Sequence, residues 1–164
     1  MNPLLIKYRV MDWGLAKRDR FEVTIPGFSE TTNLLAKSVN SPGISFGMGT
    51  YRYHAPIQNQ PNDIIQQDLS ISFYVDKKYK VRSDFEEWKK EIVDENFNTW
   101  GYRNDYGRDI KVVHMDNQLQ EQFETNYLSC VPKDIGELRV DFESSEEVMI
   151  LDVNFIYERL IPNF

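Results

Sequence analysis

The sequence is poor in residues that carry chemistry. Its 164 residues include one cysteine, Cys130, and two histidines, His54 and His114. A single thiol excludes an intramolecular disulfide and a thiolate metal cage, and gives no sign of an oxidising compartment. Neither histidine belongs to a His-Glu-x-x-His or similar metal-spaced group. The sequence also has no nucleophile elbow, cysteine-protease signature, Walker sequence, dinucleotide glycine fingerprint or calcium-loop spacing. A basic surplus is missing too: 19 Lys and Arg stand against 26 Asp and Glu, a net charge of −7 with neutral histidines. Nucleic-acid binders draw affinity from counterions released when cations neutralise phosphates, so this balance disfavours a protein that grips DNA. No apolar stretch approaches the roughly 20 residues of a membrane-spanning helix. Leu4-Leu5-Ile6 is broken by Lys7 and Arg9 with no small-residue cleavage site after it, so the expectation is a soluble chain without a signal peptide, made in the cytosol.

What is present suits one compact core. Domains most often run to about 100–150 residues, so residues 1–164 are expected to form a single domain. The 41% hydrophobic and 13% aromatic content is enough to fill it without a disulfide or metal. No internal repeat, low-complexity tract or linker divides the chain.

The hydrophobic period is mostly two. After a polar arm over residues 1–19, Phe21, Val23 and Ile25 alternate with Glu22 and Thr24, and Pro26-Gly27 ends the strand. A second candidate strand runs from Leu34 to Val39 and stops at the turn signal Asn40-Ser41-Pro42-Gly43. Residues 43–66, with Gly47, Gly49, Tyr51, Tyr53 and Pro56, read as an extended hairpin or arm. Leu69, Ile71, Phe73 and Val75 alternate with Ser70, Ser72 and Tyr74 in a clear strand. Ser83-Asp84-Phe85-Glu86 fits a capping box opening a helix over about residues 83–95, with Phe85, Trp88 and Ile92 on its apolar stripe. An aromatic loop over 96–107 follows, then strands over Ile110–Met115 and Glu121–Val131 and a turn at Pro132-Lys133-Asp134-Ile135-Gly136. In the longer strand Phe123, Thr125, Tyr127, Ser129 and Val131 share a face. Leu138, Val140 and Phe142 begin a last pair that closes with Val148–Tyr157. The fold class is mainly β: a sandwich or barrel of about seven or eight antiparallel strands with one amphipathic helix.

The remaining clusters admit a catalytic reading and a plainer one. Asp84, Glu86 and Glu87, or Glu143, Glu146 and Glu147, could be acid–base pairs. The first group also suits a helix N-terminus, where negative charge is favoured, and the second a solvated turn. Cys130 with His54 or His114 could form a nucleophile pair, but a buried thiol, a sheet-face His114 and a His54 in the arm explain them as well. The Trp100–Arg108 stretch mixes Tyr102, Tyr106, Arg103 and Arg108 in a way that could stack single-stranded nucleic acid, with Asp105 and Asp109 cancelling the charge.

Longer quotations add a resemblance. Leu15-Ala16-Lys17-Arg18-Asp19-Arg20-Phe21-Glu22-Val23-Thr24-Ile25, followed by Ala36-Lys37-Ser38-Val39-Asn40-Ser41-Pro42-Gly43, resembles the start of the tail tube proteins of contractile-tailed bacteriophages. Asp84-Phe85-Glu86-Glu87-Trp88 is similar to that family's helix. Val131-Pro132-Lys133-Asp134-Ile135-Gly136-Glu137-Leu138-Arg139-Val140-Asp141-Phe142 is similar to its Pro-x-x-Ile/Val-Gly-Glu-Leu turn and strand, and Ile150–Tyr157 to its closing strand. The resemblance implies a non-enzymatic virion protein without cofactors. Six copies would form a ring whose inner strands join in one barrel, and rings would stack into a tube inside a contractile sheath. Expected partners are sheath, baseplate and tail terminator proteins, with no membrane. Genomic DNA would cross the lumen without specific binding, helped by six times the −7 surplus if much of it faces inward. Assembly would take place in the host cytoplasm. The arm would supply ring–ring contacts through Gly43, Phe46, Gly47, Met48, Gly49, Tyr51 and Tyr53, with Gly47 and Gly49 allowing close backbone approach. A baseplate initiator, a type VI secretion ring subunit, a ligand-binding β-barrel and a small carboxylate hydrolase are the alternatives.

Overall fold

The computed structural model describes residues 20–52, 56–115, 118–138, 140 and 148–163. The expected arm over 1–19, Tyr53, His54, Phe142 and the Glu143, Glu146, Glu147 cluster lie outside the described residues. Eleven strands occur among those described: β1 (Phe21–Thr24), β2 (Ala36–Asn40), β3 (Ile44–Tyr51), β4 (Gln58–Gln66), β5 (Leu69–Tyr74), β6 (Val93–Asp94), β7 (Thr99–Trp100), β8 (Arg108–Met115), β9 (Glu121–Ile135), β10 (Ile150–Ile156) and β11 (Arg159–Asn163). The helices are α1 (Glu30–Leu34), α2 (Lys80–Ile92) and α3 (Arg103–Tyr106). The protein is a mainly β single domain with an antiparallel sheet.

That sheet has seven strands in the order β1-β8-β9-β10-β5-β2, with β11 also on β9. The long β9 joins its halves. Residues up to Cys130 pair with β8, Glu124–Leu128 pair with β11 on the other side, and Val131–Ile135 pair with β10. Inward residues of both halves, among them Val23, Ile110, Val112 and Tyr127 from one and Leu69, Ile71, Phe73, Leu151, Val153 and Phe155 from the other, meet α2 in one core. Val81, Phe85 and Trp88 of α2 are fully buried there. The ring of Phe85 lies 5.5 Å from Phe73 and 6.1 Å from Phe155, so α2 covers the inner face of the β10-β5 half. Arg108 closes the far end, its guanidinium 4.7 Å from the Trp88 ring and 5.3 Å from Phe28.

Several sequence expectations are corrected. The helix begins at Lys80, and Ser83 is inside its first turns, its N–H donating to the Tyr79 carbonyl at 3.0 Å. Asp76 takes the capping role instead, Oδ1 accepting from the Lys80 N–H at 2.7 Å. Leu34 ends α1 and does not start a strand; Ser29 caps that helix, its side chain accepting from the Thr32 N–H. Pro132 does not open a turn. Strand β9 runs through it to Ile135, with a register shift beside Phe155, the partner of Pro132. Ser129 has a left-handed backbone, φ 52°, which breaks the alternation expected there and turns Cys130 into the core with Tyr127. Leu138 and Val140 form no strand, and β11, unforeseen, adds an edge to β9. The loop over 96–107 holds β7, paired with β6, and α3.

Candidate assembly surface

Strands β2 and β5 do not end at the body of the domain. Asn40 pairs with Ser70, and beyond a short break Ile44 pairs with Gln66 in the same register, so β3 and β4 prolong that pair as one ribbon. Among the described residues the ribbon has no strand on either side. Side-chain amides fasten its base: Gln67 Oε1 accepts from the Gly43 N–H at 3.3 Å, and Gln66 Nε2 donates to the Tyr157 carbonyl at 2.8 Å.

The alternation in this ribbon is inverted relative to water. Ile44, Phe46 and Met48 point to one face, with Ile64 directly opposite Phe46. They are 76%, 52%, 63% and 69% exposed. Tyr51, Ile57 and Ile65 are also more than half exposed. A two-stranded hairpin is marginal alone in water, and an apolar stripe on a free edge is a surface that another chain completes. Gly47 and Gly49 lie on the opposite face, against the ribbon's own second strand. A Cβ at Gly47 would meet Asp63 Cβ at 3.2 Å and Asn62 Oδ1 at 3.3 Å, and one at Gly49 would meet Asn62 Nδ2 at 3.0 Å. Their smallness therefore serves the bulged hairpin itself, around the register shift between Gly47 and Met48.

Nothing catalytic gathers elsewhere among the described residues. Asp84, expected at the helix N-terminus, is buried in the first turns of α2 and joins it to α1: it accepts from the Thr32 hydroxyl at 2.6 Å and the Ser29 hydroxyl at 3.1 Å, and pairs with Lys80 at 2.8 Å. Burial alone would raise its pKa, but the hydrogen bonds from Lys80, Thr32 and Ser29 outweigh that and hold it below the usual carboxylate range. Glu86 pairs with Arg82 at 2.7 Å. Cys130 is fully buried, its thiol directed at the Tyr127 carbonyl, and burial pushes its pKa up to about 12. His114 stacks on Phe123 at 5.8 Å. No group of three or more His, Cys, Asp or Glu among the described residues could hold a metal ion.

The aromatic loop also departs from the nucleic-acid reading. Trp100 and Tyr102 are exposed, but the arginines are engaged elsewhere, Arg103 with the Ser129 carbonyl at 3.1 Å and Arg108 with Pro26 and Glu91. A stacking platform for single strands needs its cations beside its rings.

The fold and the exposed ribbon define a mainly β antiparallel domain with an apolar surface open to another chain. The particular family follows from comparison: the phage tail tube protein family model matches residues 15–163, and the chain belongs to that family. Its role is structural, in a tail tube. No curated protein matches it in sequence. Among solved structures, the sheath/tube terminator of the extracellular contractile injection system PVC aligns with a TM-score of 0.68 at 16% identity, covering 88% of this chain and 94% of that one. The PVC sheath-tube complex in its extended state gives 0.67 at 16% identity over 95% and 96%. Hcp1 from Flavobacterium johnsoniae gives 0.57 at 10% identity over 88% and 94%. These likenesses concern the fold.

Proposed function

We propose that this chain is the repeating subunit of the tail tube: six copies close into a ring, rings stack within a contractile sheath, and genomic DNA crosses the lumen during ejection. Assembly takes place in the host cytoplasm, and sheath, baseplate and terminator proteins bind the finished tube. The observation that carries the reading is the ribbon of β3 and β4, whose apolar stripe of Ile44, Phe46, Met48 and Ile64 is left exposed by the described residues. In a stack of rings this stripe supplies the contact to the next copy, together with Gly43, Tyr51 and Tyr53 of the same arm. Heterologous contacts of this kind close into rings or propagate as filaments. The purified protein is accordingly expected to form rings and tubes in electron micrographs. Monomers alone, with sheath and baseplate partners supplied, would refute the reading. Single rings that never lengthen would assign the chain to an end of the tube, as an initiator or terminator.

A further inference from the structure

The end of β5 opposite the ribbon opens on a groove of about 320 Å³ lined by Val75, Asp76, Lys77, Tyr79 and Met149. Strand β5 connects the two: Leu69, its first residue, follows closely on β4, and Val75, just past its last, donates its N–H to the Met149 carbonyl at 3.0 Å. The groove offers apolar surface to water, since Tyr79 is exposed and so is Val148 beside Met149. Tyr79 also has a left-handed backbone, φ 53°, a state uncommon for a bulky residue and one that clusters at binding and switch positions. The groove is cationic. The Asp76 carboxylate already accepts from the N–H groups of Lys78, Lys80 and Val81, and Lys80 pairs with Asp84. Lys77 and Lys78 are exposed and have no ion-pair partner among the described residues.

We infer that this groove is the seat for the ribbon of a second copy, so that subunits join head to tail along the direction of β5. The inference rests on the tube reading, in which the ribbon meets the next copy, and adds where on that copy it lands. A stripe and a seat on different parts of one surface make a heterologous contact, which repeats without limit when the two lie along one axis. Ribbon and groove lie at the two ends of the run from β4 through β5. Their chemistry matches. The apolar stripe meets Tyr79, Val75 and Val148, and Asp63, the one charged residue of β3 and β4, is exposed beside Ile64 and opposite in sign to Lys77 and Lys78. The exposed aromatic patch of Phe97, Trp100 and Tyr102 is the competing seat, but Asp94 and Asp105 there would set like charge against Asp63. The chain also fixes the spacing. Ile64 and Val75 are eleven positions apart, and an extended chain spans at most about 3.6 Å per residue, so copies joined this way repeat along the axis at about 40 Å or less.

A truncation and a crosslink test the seat. Tyr79→Gly removes the ring and suits the left-handed backbone, so the dissociated subunit should keep its denaturation midpoint while the concentration threshold for tube growth rises at least tenfold. Should the midpoint fall instead, the crosslink alone decides. Tubes of the double variant Asp63→Cys, Lys77→Cys are treated with a short bismaleimide, with buried Cys130 giving little background. The two positions are too far apart to be bridged within one chain, so contact between ribbon and groove should produce a ladder of covalent oligomers on denaturing gels, and neither single variant should produce one. Absence of the ladder from tubes that form, or an unchanged threshold in Tyr79→Gly with an unchanged midpoint, overturns the seat while leaving the tube reading intact. Failure of wild-type protein to form tubes overturns both.

Discussion

Ile64→Ala isolates the contact assigned to the ribbon. Fully burying an isoleucine side chain is worth about 1.5–3 kcal/mol. Ile64 is 69% exposed, so most of that gain is still available to a partner, about 1–2 kcal/mol per contact after truncation to alanine. At tenfold per 1.4 kcal/mol, association should weaken by about 5–30-fold. The folded subunit should hardly notice, because Ile64 lies opposite Phe46 on an exposed ribbon face, and substitutions at such exposed positions stay within about 0.5 kcal/mol. The assay is sedimentation of tubes across a concentration series, read beside the denaturation midpoint of the dissociated subunit. The threshold for tube growth should rise by that factor with the midpoint unmoved. An unchanged threshold with an unchanged midpoint would refute the ribbon's role, and a lowered midpoint would show that Ile64 belongs to the subunit's own packing.

Phe85→Ala empties the centre of the core, against Phe28, Phe73 and Phe155, and should cost about 3–5 kcal/mol in chemical denaturation. Gly136→Ala should destabilise at least comparably to an ordinary overpacking change, about 1–3 kcal/mol, since its Cβ would lie 2.7 Å from the Asp152 carbonyl oxygen; normal stability would refute the close approach. Asp84 has a lowered folded-state pKa, so its contribution is present above the unfolded value of about 4 and is lost as pH falls through the folded one. Asp84→Asn should therefore cost about 1–3 kcal/mol at neutral pH and flatten the acid limb of the stability profile, measured by denaturation at stepped pH. Cys130 should resist thiol reagents at pH 8 until the chain unfolds; rapid modification of native protein would contradict its burial and raised pKa.

Period-two patterning made the core strands legible before any coordinates. Leu69, Ile71 and Phe73, and Leu151, Val153 and Phe155, are buried as the alternation requires. Where it failed, one residue usually changed the local rule. Ser129 in the left-handed region shifts the register of inward positions, and nothing about a serine in a polar context announces that. Pro132 carries a turn signal in isolation, but the bulge beside Phe155 absorbs it. The role of Asp84 in joining α2 to α1 was not legible because its donors, Ser29 and Thr32, are some fifty residues away in sequence. The quoted Pro132–Phe142 segment does contain a position with a physical reason for glycine: the Gly136 N–H donates to Asp152 at 2.8 Å where no side chain would fit. The ribbon was legible as an arm from its glycines and tyrosines. Its apolar stripe was not, because Ile64 and Phe46 become neighbours only through the pairing of β3 with β4.

The same dependence on placement changes what the charge balance can mean. A net −7 suggests a wall that repels DNA only if the acids line the wall. Repulsion and indifference differ in their response to salt, since screening weakens the first within a Debye length of about 8 Å and leaves the second untouched. If the Ser70 and Ser72 face lines the bore, Asp152 in the same row puts one carboxylate per copy on that wall, and the mobility of a confined duplex should respond to ionic strength, less so in Asp152→Asn tubes. Ser72→Lys would place a cation where the serine hydroxyl is now spent on Asp152, and capture should appear with the steep salt dependence of counterion release. Identical salt dependence in unaltered, Asp152→Asn and Ser72→Lys tubes would exclude this face from the bore.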